Sequence, residues 1–129
     1  MTKLNLRLLS GEFAVCRLPS DAPVPAWADG GSFASVTRSA EELSVICAAA
    51  RVPADVRAER GWRLVQVAGP LDFGAVGVLA SVAGPLAAAG ISLLAVGTFD
   101  TDYLLLKADR CDAALATLTA AGHGIERTG

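Results

Sequence analysis

Two carboxylates, Asp100 and Asp102, are well placed in the sequence to bind a charged group. They lie two positions apart, and on an extended chain side chains at this spacing point to the same side. Together they could hold an ammonium or guanidinium group through charge-assisted hydrogen bonds, or a divalent cation through their oxygens. The same spacing also occurs in a solvated turn before a strand, so the residues alone leave both interpretations open.

The segment Asp72-Phe-Gly-Ala-Val-Gly77 leads into a predicted helix and offers a second kind of chemistry. Free N–H groups and the helix dipole suit a carboxylate, and glycine lets a ligand approach the backbone closely. Alternatively, Asp72 is a plain N-terminal cap, and Gly74 and Gly77 only form a tight turn. The glycine spacing is not that of a dinucleotide-binding or phosphate-binding loop, so no nucleotide is predicted.

Residues suited to catalysis or to metal binding are scattered along the chain. There is one histidine, His123, and the three cysteines Cys16, Cys47 and Cys111 form no Cys-x-x-Cys pair. Nothing in the sequence brings Ser44 to His123, which we expect at the surface or on an edge strand. Cys16 and Cys47 lie on apolar strands and are expected in a core. We therefore predict no catalysis, no metal and no cofactor.

Composition excludes several classes of protein. The 129 residues are 53% hydrophobic with a net charge of −2, which argues against disorder and against general nucleic-acid binding. The arginines Arg51, Arg57, Arg60 and Arg63 are interleaved with acidic residues and predict a mixed, solvated surface. Residues 73–99 lack charge, but repeated glycines favour a packed helix and a strand over a membrane span. The N-terminus lacks the apolar core of a signal peptide, so a cytoplasmic protein with reduced thiols is expected.

The second half of the chain alternates strands and helices. The hydrophobic pattern predicts a helix over 75–89 with Val76, Leu79, Ala83 and Leu86 facing inward, and a helix over 109–121 with Ala113, Ala114, Leu118 and Ala121 inward. It also predicts a central, covered strand at 91–96. The full order is strand 62–68, helix, strand 91–96, strand 102–107, helix, strand 124–127. This is the β-α-β-β-α-β order of ferredoxin-like domains, with both helices on one face.

The first half predicts a looser version of the same order. Residues 3–18 suggest a hairpin, followed by strands at 32–38 and 43–47. Short helices are predicted at 24–28 and at 52–59, the second with Pro53 in its first turn. The predicted fold is therefore α+β, with two ferredoxin-like units packed together, one over 1–61 and one over 62–129.

Three passages resemble the ACT domain, a small-molecule regulatory module. They are Gly69-Pro-Leu-Asp-Phe73 followed by Gly77-Val-Leu-Ala-Ser81, then Ala88-Ala-Gly-Ile-Ser92, and then Thr98-Phe-Asp-Thr-Asp102-Tyr-Leu-Leu-Leu106. In the first half, Leu43-Ser-Val-Ile-Cys47 fits the same group. The chain is most similar to tandem-ACT proteins such as the aspartate kinase regulatory domain and the CASTOR arginine sensors. This likeness spans roughly residues 40–108, and Thr-Phe-x-Thr-Asp is its specific part.

The resemblance implies a stand-alone regulatory module that binds an amino acid or a related metabolite where two ACT units meet. It implies ligand contacts at Ser44, Val45, Gly77, Val78, Leu79, Thr98, Phe99, Thr101 and Asp102, to which the residue types add Asp72 and Asp100. It further implies a homodimer and a regulated partner protein, with no membrane or nucleic acid. The alternative is an interaction module that keeps the ACT shape for pairing and has no functional ligand pocket.

Overall fold

The computed structural model describes residues 2–71 and 75–128 and has a mixed α+β fold, as the sequence predicted. The chain divides into two compact units. The larger unit consists of residues 1–10 and 63–129, and the smaller unit of residues 11–62. The sequence predicted units over 1–61 and 62–129; in the structure, residues 1–10 belong to the same unit as residues 63–129.

Eight strands and two α-helices form the described part of the chain. In chain order the strands are β1 Asn5–Leu8, β2 Phe13–Leu18, β3 Ala34–Arg38, β4 Leu43–Ala48, β5 Ala58–Val67, β6 Leu94–Gly97, β7 Asp102–Lys107 and β8 Gly124–Arg127. The α-helices are α1 Val78–Ala88 and α2 Cys111–Ala120. Short 3-10 helices occur at Ala26–Ala28, Ala49–Arg51 and Ala108–Arg110.

The sheet of the larger unit has the strand order β8-β1-β5-β7-β6. Strand β1 lies antiparallel to β5, with Leu6 opposite Val67, and parallel to β8, with Leu6 opposite Ile125. The predicted hairpin over 3–18 is therefore wrong, because β1 does not pair with β2. Burial explains the difference, since β1 places Leu6 and Leu8 in the core of the larger unit.

Both α-helices pack on the same face of this sheet, as predicted, because Val82 and Leu86 of α1 share one core with Ala114 and Leu118 of α2. The predicted inward stripes are partly wrong. On α1, Ser81, Val82 and Leu86 are buried, whereas Val76 and Leu79 are exposed. The helix begins at Val78 rather than at residue 75, so Val76 precedes it. The buried side of the helix carries Ser81 and Val82 rather than Leu79. On α2 the buried residues are Cys111, Ala114, Leu115 and Leu118.

Strand β6 was expected to be central, and this expectation is wrong. It spans Leu94–Gly97, and within the described residues it pairs with β7 and is otherwise an exposed edge. Ile91 is buried, but as part of the helix end, where its N–H donates to the carbonyl of Leu86 at 2.9 Å. An apolar run alone does not distinguish a central strand from an edge strand. In the described residues, no helix is long and apolar enough to cross a membrane.

The smaller unit keeps a ferredoxin-like strand order while shortening its helices to single turns. Its strands lie in the order β3-β4-β2-β5, and 3-10 helices stand at Ala26–Ala28 and Ala49–Arg51. The predicted helix over 52–59 is wrong, because Ala58 already lies in β5. Arg60 helps to fix the local structure, because it donates to the carbonyls of Ala49, Val52 and Pro53. The carbonyls of Ala49 and Pro53 also accept from the N–H groups of Val52 and Val56 in single turns.

Arginine side chains stabilise the loops of the smaller unit by donating hydrogen bonds to backbone carbonyls. Arg51 donates to the carbonyls of Trp27 at 3.1 Å and Asp29 at 2.9 Å, and Arg38 donates to the carbonyl of Ala22 at 2.7 Å. In the larger unit, Arg63 donates to the carbonyl of Leu9 at 3.3 Å. Arg51 and Arg60 are exposed, in agreement with the predicted solvated surface, and together with Arg63 they also donate hydrogen bonds to backbone carbonyls.

Candidate functional site

A pocket of about 150 Å³ opens in the larger unit beside the β6–β7 connection. We call it the loop pocket; its lining residues are Leu71, Ala75, Val78, Thr98, Phe99, Asp100, Thr101 and Asp102. Six of these eight were predicted as ligand contacts. The other two are Leu71, which directly precedes the segment of residues 72–77, and Ala75, which lies within it; neither has a polar side chain that would have marked it.

Hydroxyl groups shape the loop that forms one wall of the pocket. Thr98 Oγ1 donates to the carbonyl of Thr101 at 2.7 Å and accepts from the N–H of Thr101 at 3.2 Å. Thr101 is buried, and its Oγ1 donates to the carbonyl of Val67 at 2.6 Å. Because both hydroxyls are engaged with the backbone, the carboxylates of Asp100 and Asp102 are the groups of this loop left to bind a ligand.

The loop is also held against the segment that follows β5. The N–H of Leu71 donates to the carbonyl of Asp100 at 2.6 Å. Gly69 packs so closely that an added Cβ would lie 3.0 Å from Cβ of Thr101 and 3.2 Å from the carbonyl oxygen of Asp100. A glycine is therefore needed at this position for the loop to approach.

The start of α1 carries partial positive charge, opposite to the charge of the Asp100 and Asp102 carboxylates. The helix is preceded by Gly77, which has a positive φ of 81° and gives no side-chain cap hydrogen bond. The first-turn N–H groups carry the positive end of the helix dipole, and Val78 of this turn lines the loop pocket. The pocket thus lies between two carboxylates and the first residue of α1, and Phe99, 80% exposed, adds an aromatic ring to its lining.

The remaining predicted site residues lie elsewhere. Gly77 lines a separate pocket with Thr2, Ala80 and Ser81, and the exposed Leu79 is not among the lining residues of the loop pocket. In the smaller unit, Ser44 lines a pocket of its own, whereas the side chain of Val45 is fully buried in the core. Asp72 lies outside the described residues.

His123 is buried and directly precedes β8, an edge strand of the described sheet, so of the two predicted positions the surface one is wrong. Its Nδ1 accepts from the N–H of Leu4 at 3.0 Å, so the ring proton lies on Nε2, which donates to the carbonyl of Ser81 at 2.8 Å. The parallel pairing of β1 with β8 brings residue 123 next to Leu4, because Asn5 lies opposite Gly124. The histidine is thus a structural link, and the described residues contain no cluster of three or more His, Cys, Asp or Glu suited to a metal.

The cysteines are unreactive core residues, as predicted for Cys16 and Cys47. Burial raises the pKa of the Cys16 thiol to about 11, with a smaller contribution from the neighbouring Cys47 and an opposing one from Arg60. Burial also raises the pKa of Cys47 and of Cys111, against the opposing effect of nearby arginines. The thiols therefore stay protonated at neutral pH and are poor nucleophiles.

Family models match most of the chain. A model for the ACT domain matches residues 57–120. A second model, for an N-terminal domain, matches residues 11–55. The boundary between the two matches falls just before β5, and the ACT match begins at residue 57, whereas the predicted second ferredoxin-like order begins at residue 62.

Three relatives illustrate what the chain is similar to. Protein Atu0741 from Agrobacterium tumefaciens is 37% identical, with a TM-score of 0.95 over 100% of this chain and 96% of that one. The regulatory subunit of aspartate kinase from Thermus thermophilus shares the fold, with a TM-score of 0.58 at 12% identity over 92% of this chain and 94% of that one. The human cytosolic arginine sensor for mTORC1 subunit 1 is 38% identical over 65 residues. That match covers 50% of this chain but 20% of the sensor, so the chain corresponds to about a fifth of it.

Proposed function

This chain belongs to the ACT-domain family, and we propose that it is a non-catalytic regulatory module that binds an amino acid or a related small metabolite. The loop pocket is the observation that carries the proposal, because it joins two carboxylates to the N-terminal end of α1. Similarity to an arginine sensor and to aspartate kinase regulatory subunits supports this kind of ligand.

The proposed binding mode follows from the charges of the pocket. The ligand carboxylate lies against the first-turn N–H groups of α1, and its ammonium group lies between Asp100 and Asp102. A cavity of about 150 Å³ holds a molecule the size of benzene, which matches the pocket volume of about 150 Å³. The pocket therefore suits the α-amino and carboxylate groups of an amino acid, and a longer side chain would extend past Phe99.

Binding would regulate by shifting conformational populations. A ligand that joins the loop of residues 98–102 to the start of α1 favours conformations in which these two segments are close. Catalysis is not part of the proposal, because the hydroxyls of Thr98 and Thr101 are bonded to the backbone and the thiols are buried. The expected output is a change in affinity for a partner protein or a second copy of the chain.

The ligand is tested by thermal unfolding in the presence of each of the twenty amino acids at millimolar concentration. A ligand at about 100 times its Kd raises the free energy of unfolding by roughly 2.7 kcal/mol, which shifts the melting temperature by several degrees. Asp102→Asn should abolish the shift, because the neutral amide no longer attracts an ammonium group. Asp109→Asn, an exposed carboxylate of the same unit outside the loop pocket, is the matched control and should retain it.

Two outcomes would contradict the proposal. One is a melting temperature that no amino acid changes. The other is a shift that survives in Asp102→Asn, which would place the ligand elsewhere in the molecule.

Exposed apolar side chains favour an interaction role as the second candidate function. Val76 is 88% exposed and Leu79 is 45% exposed, both near the start of α1. Monomeric proteins rarely expose contiguous apolar patches larger than a few hundred Å². We propose that this surface pairs two copies of the chain, or the chain and a regulated partner, whether or not the loop pocket binds a ligand.

Leu79→Glu tests this surface. If two copies pair here, burying a carboxylate without a partner should raise the dimer dissociation constant at least about tenfold, as measured by sedimentation equilibrium. Ala116→Glu, on the exposed side of α2, is the matched control and should leave association unchanged. Equal association constants for both variants and the parent chain would exclude α1 as the interface.

A further inference from the structure

The smaller unit carries a second pocket, which the proposed function does not use. It has a volume of about 230 Å³, and we call it the sheet pocket. Its lining residues are Val15, Cys16, Arg17, Glu42, Ser44, Arg57, Ala58 and Glu59. Its size suits a small metabolite, and its polar side chains come from three neighbouring strands and the residues beside them.

Strand register explains why the charged groups meet. Arg17 lies opposite Ser44 on β4, and its N–H donates to the carbonyl of Arg57 at 2.9 Å. Cys16 lies opposite Ala58, and both belong to the hydrophobic core of this unit. Because side chains alternate along a strand, Arg17 and Arg57 project from the other face of the sheet and lie side by side.

This pair of guanidinium groups is not explained by packing. The side chains of Arg38, Arg51 and Arg60 donate to backbone carbonyls, but the guanidinium group of Arg57 makes no hydrogen bond or ion pair with any residue in 2–71 or 75–128. Arg17 uses one nitrogen, which donates to the carbonyl of Glu41 at 3.0 Å. Like charges directly opposite each other on adjacent strands are destabilising. Two like charges side by side at a pocket conflict with this rule, and such local conflicts are expected at functional sites.

Two carboxylates flank the arginines along the strand direction. Glu42 lies two residues before Ser44 on one side, and Glu59 lies opposite Val15 on the other. The charged side chains of the sheet pocket therefore sum to zero, with positive charge at the centre and negative charge at the edges. A simple anion would be repelled by the edges, whereas a molecule with both a carboxylate and an amino group matches both charges.

We propose that the sheet pocket binds a small zwitterion. Its carboxylate lies between Arg17 and Arg57 and accepts from the Ser44 hydroxyl, and its ammonium group lies toward Glu42. The chain then has one ligand site in each unit. This second site does not depend on the loop pocket, because none of its residues belongs to that pocket.

Nuclear magnetic resonance titration of the full chain tests the proposal, with glycine, acetate and methylammonium as probes. Glycine should shift the Ser44 amide and the Arg17 and Arg57 side-chain N–H signals saturably, and acetate and methylammonium should bind at least about tenfold more weakly. Arg57→Gln should weaken glycine binding at these signals by at least about tenfold. It should fold normally, because it removes a repulsion. Arg110→Gln, in the larger unit, is the control and should change nothing.

Three results would overturn the proposal. They are signals that do not shift with glycine, acetate that binds as tightly as glycine, and glycine binding unchanged in Arg57→Gln. The loop pocket is followed separately in the same spectra through the signals of residues 98–102. Asp102→Asn should affect those signals and leave the glycine response of Ser44 intact, so failure of one site is distinguishable from failure of the other.

Discussion

Replacing His123 with leucine is expected to lower the free energy of unfolding by about 2–5 kcal/mol, because two buried backbone groups lose their partners. The N–H of Leu4 and the carbonyl of Ser81 both bond to the imidazole ring, at 3.0 Å and 2.8 Å. His123 itself is buried, so water does not readily replace either bond. The ring thereby ties the start of β1 to α1.

Urea unfolding of the parent chain, His123→Leu and His123→Gln measures this effect. Glutamine can place an amide N–H near the position of Nε2, so it should keep the bond to Ser81 and lose about half as much stability as leucine. If the leucine variant is as stable as the parent chain, the predicted net contribution of the two hydrogen bonds is contradicted. If glutamine is as destabilising as leucine, the shape of the ring matters more than its hydrogen bonds.

The sequence could not reveal this role of His123, because the bond partners are distant in the chain. Residues 4 and 123 meet only because β1 pairs in parallel with β8. The local pattern around Ser10 and Gly11 is typical of a hairpin, and a prediction from neighbouring residues follows it. The burial of Leu6 and Leu8 beside Val65 and Val67 contributes more free energy than the turn. Pairing between distant strands is therefore the part of the fold that a single sequence conceals.

The elements of the larger unit, by contrast, were predictable. Gly90 and Gly122 have positive φ angles of 73° and 101° just past α1 and α2, and glycine at this place is a strong helix-end signal. In the smaller unit the same reasoning predicted a helix over 52–59 that does not exist. Arg60 satisfies the carbonyls of that segment through its side chain, and no hydrophobic periodicity reports such an arrangement.

The charged residues of the candidate site could be proposed from the sequence, whereas the contacts that hold its loop in position could not. Asp100, which was predicted from its spacing, and Asp102, which was predicted from both its spacing and the family resemblance, line the loop pocket together with Val78. The resemblance also suggested Val45, whose side chain is fully buried. Supporting contacts, such as that of Gly69 with Thr101, depend on two loops meeting in space and leave no local signal.

Gly69→Ala is expected to lower the free energy of unfolding by about 1–3 kcal/mol, as overpacking does in a tight contact, and to weaken ligand binding in the loop pocket. The new methyl group would lie 3.0 Å from Cβ of Thr101 and 3.2 Å from the carbonyl oxygen of Asp100. The loop must then move outward, which lengthens the 2.6 Å bond from Thr101 Oγ1 to Val67. Asp100 and Asp102 move with it, away from the start of α1.

Gly84→Ala is the matched control for this substitution. Gly84 lies within α1, and an added Cβ there would meet nothing within 4 Å. The same chemical change should therefore raise the free energy of unfolding by about 0.5–1 kcal/mol through helix propensity. Ligand-induced melting shifts should persist in Gly84→Ala and shrink in Gly69→Ala. Equal shifts in both variants would mean that the loop of residues 98–102 does not position the ligand, and the carboxylates would then act from a loop free to adjust.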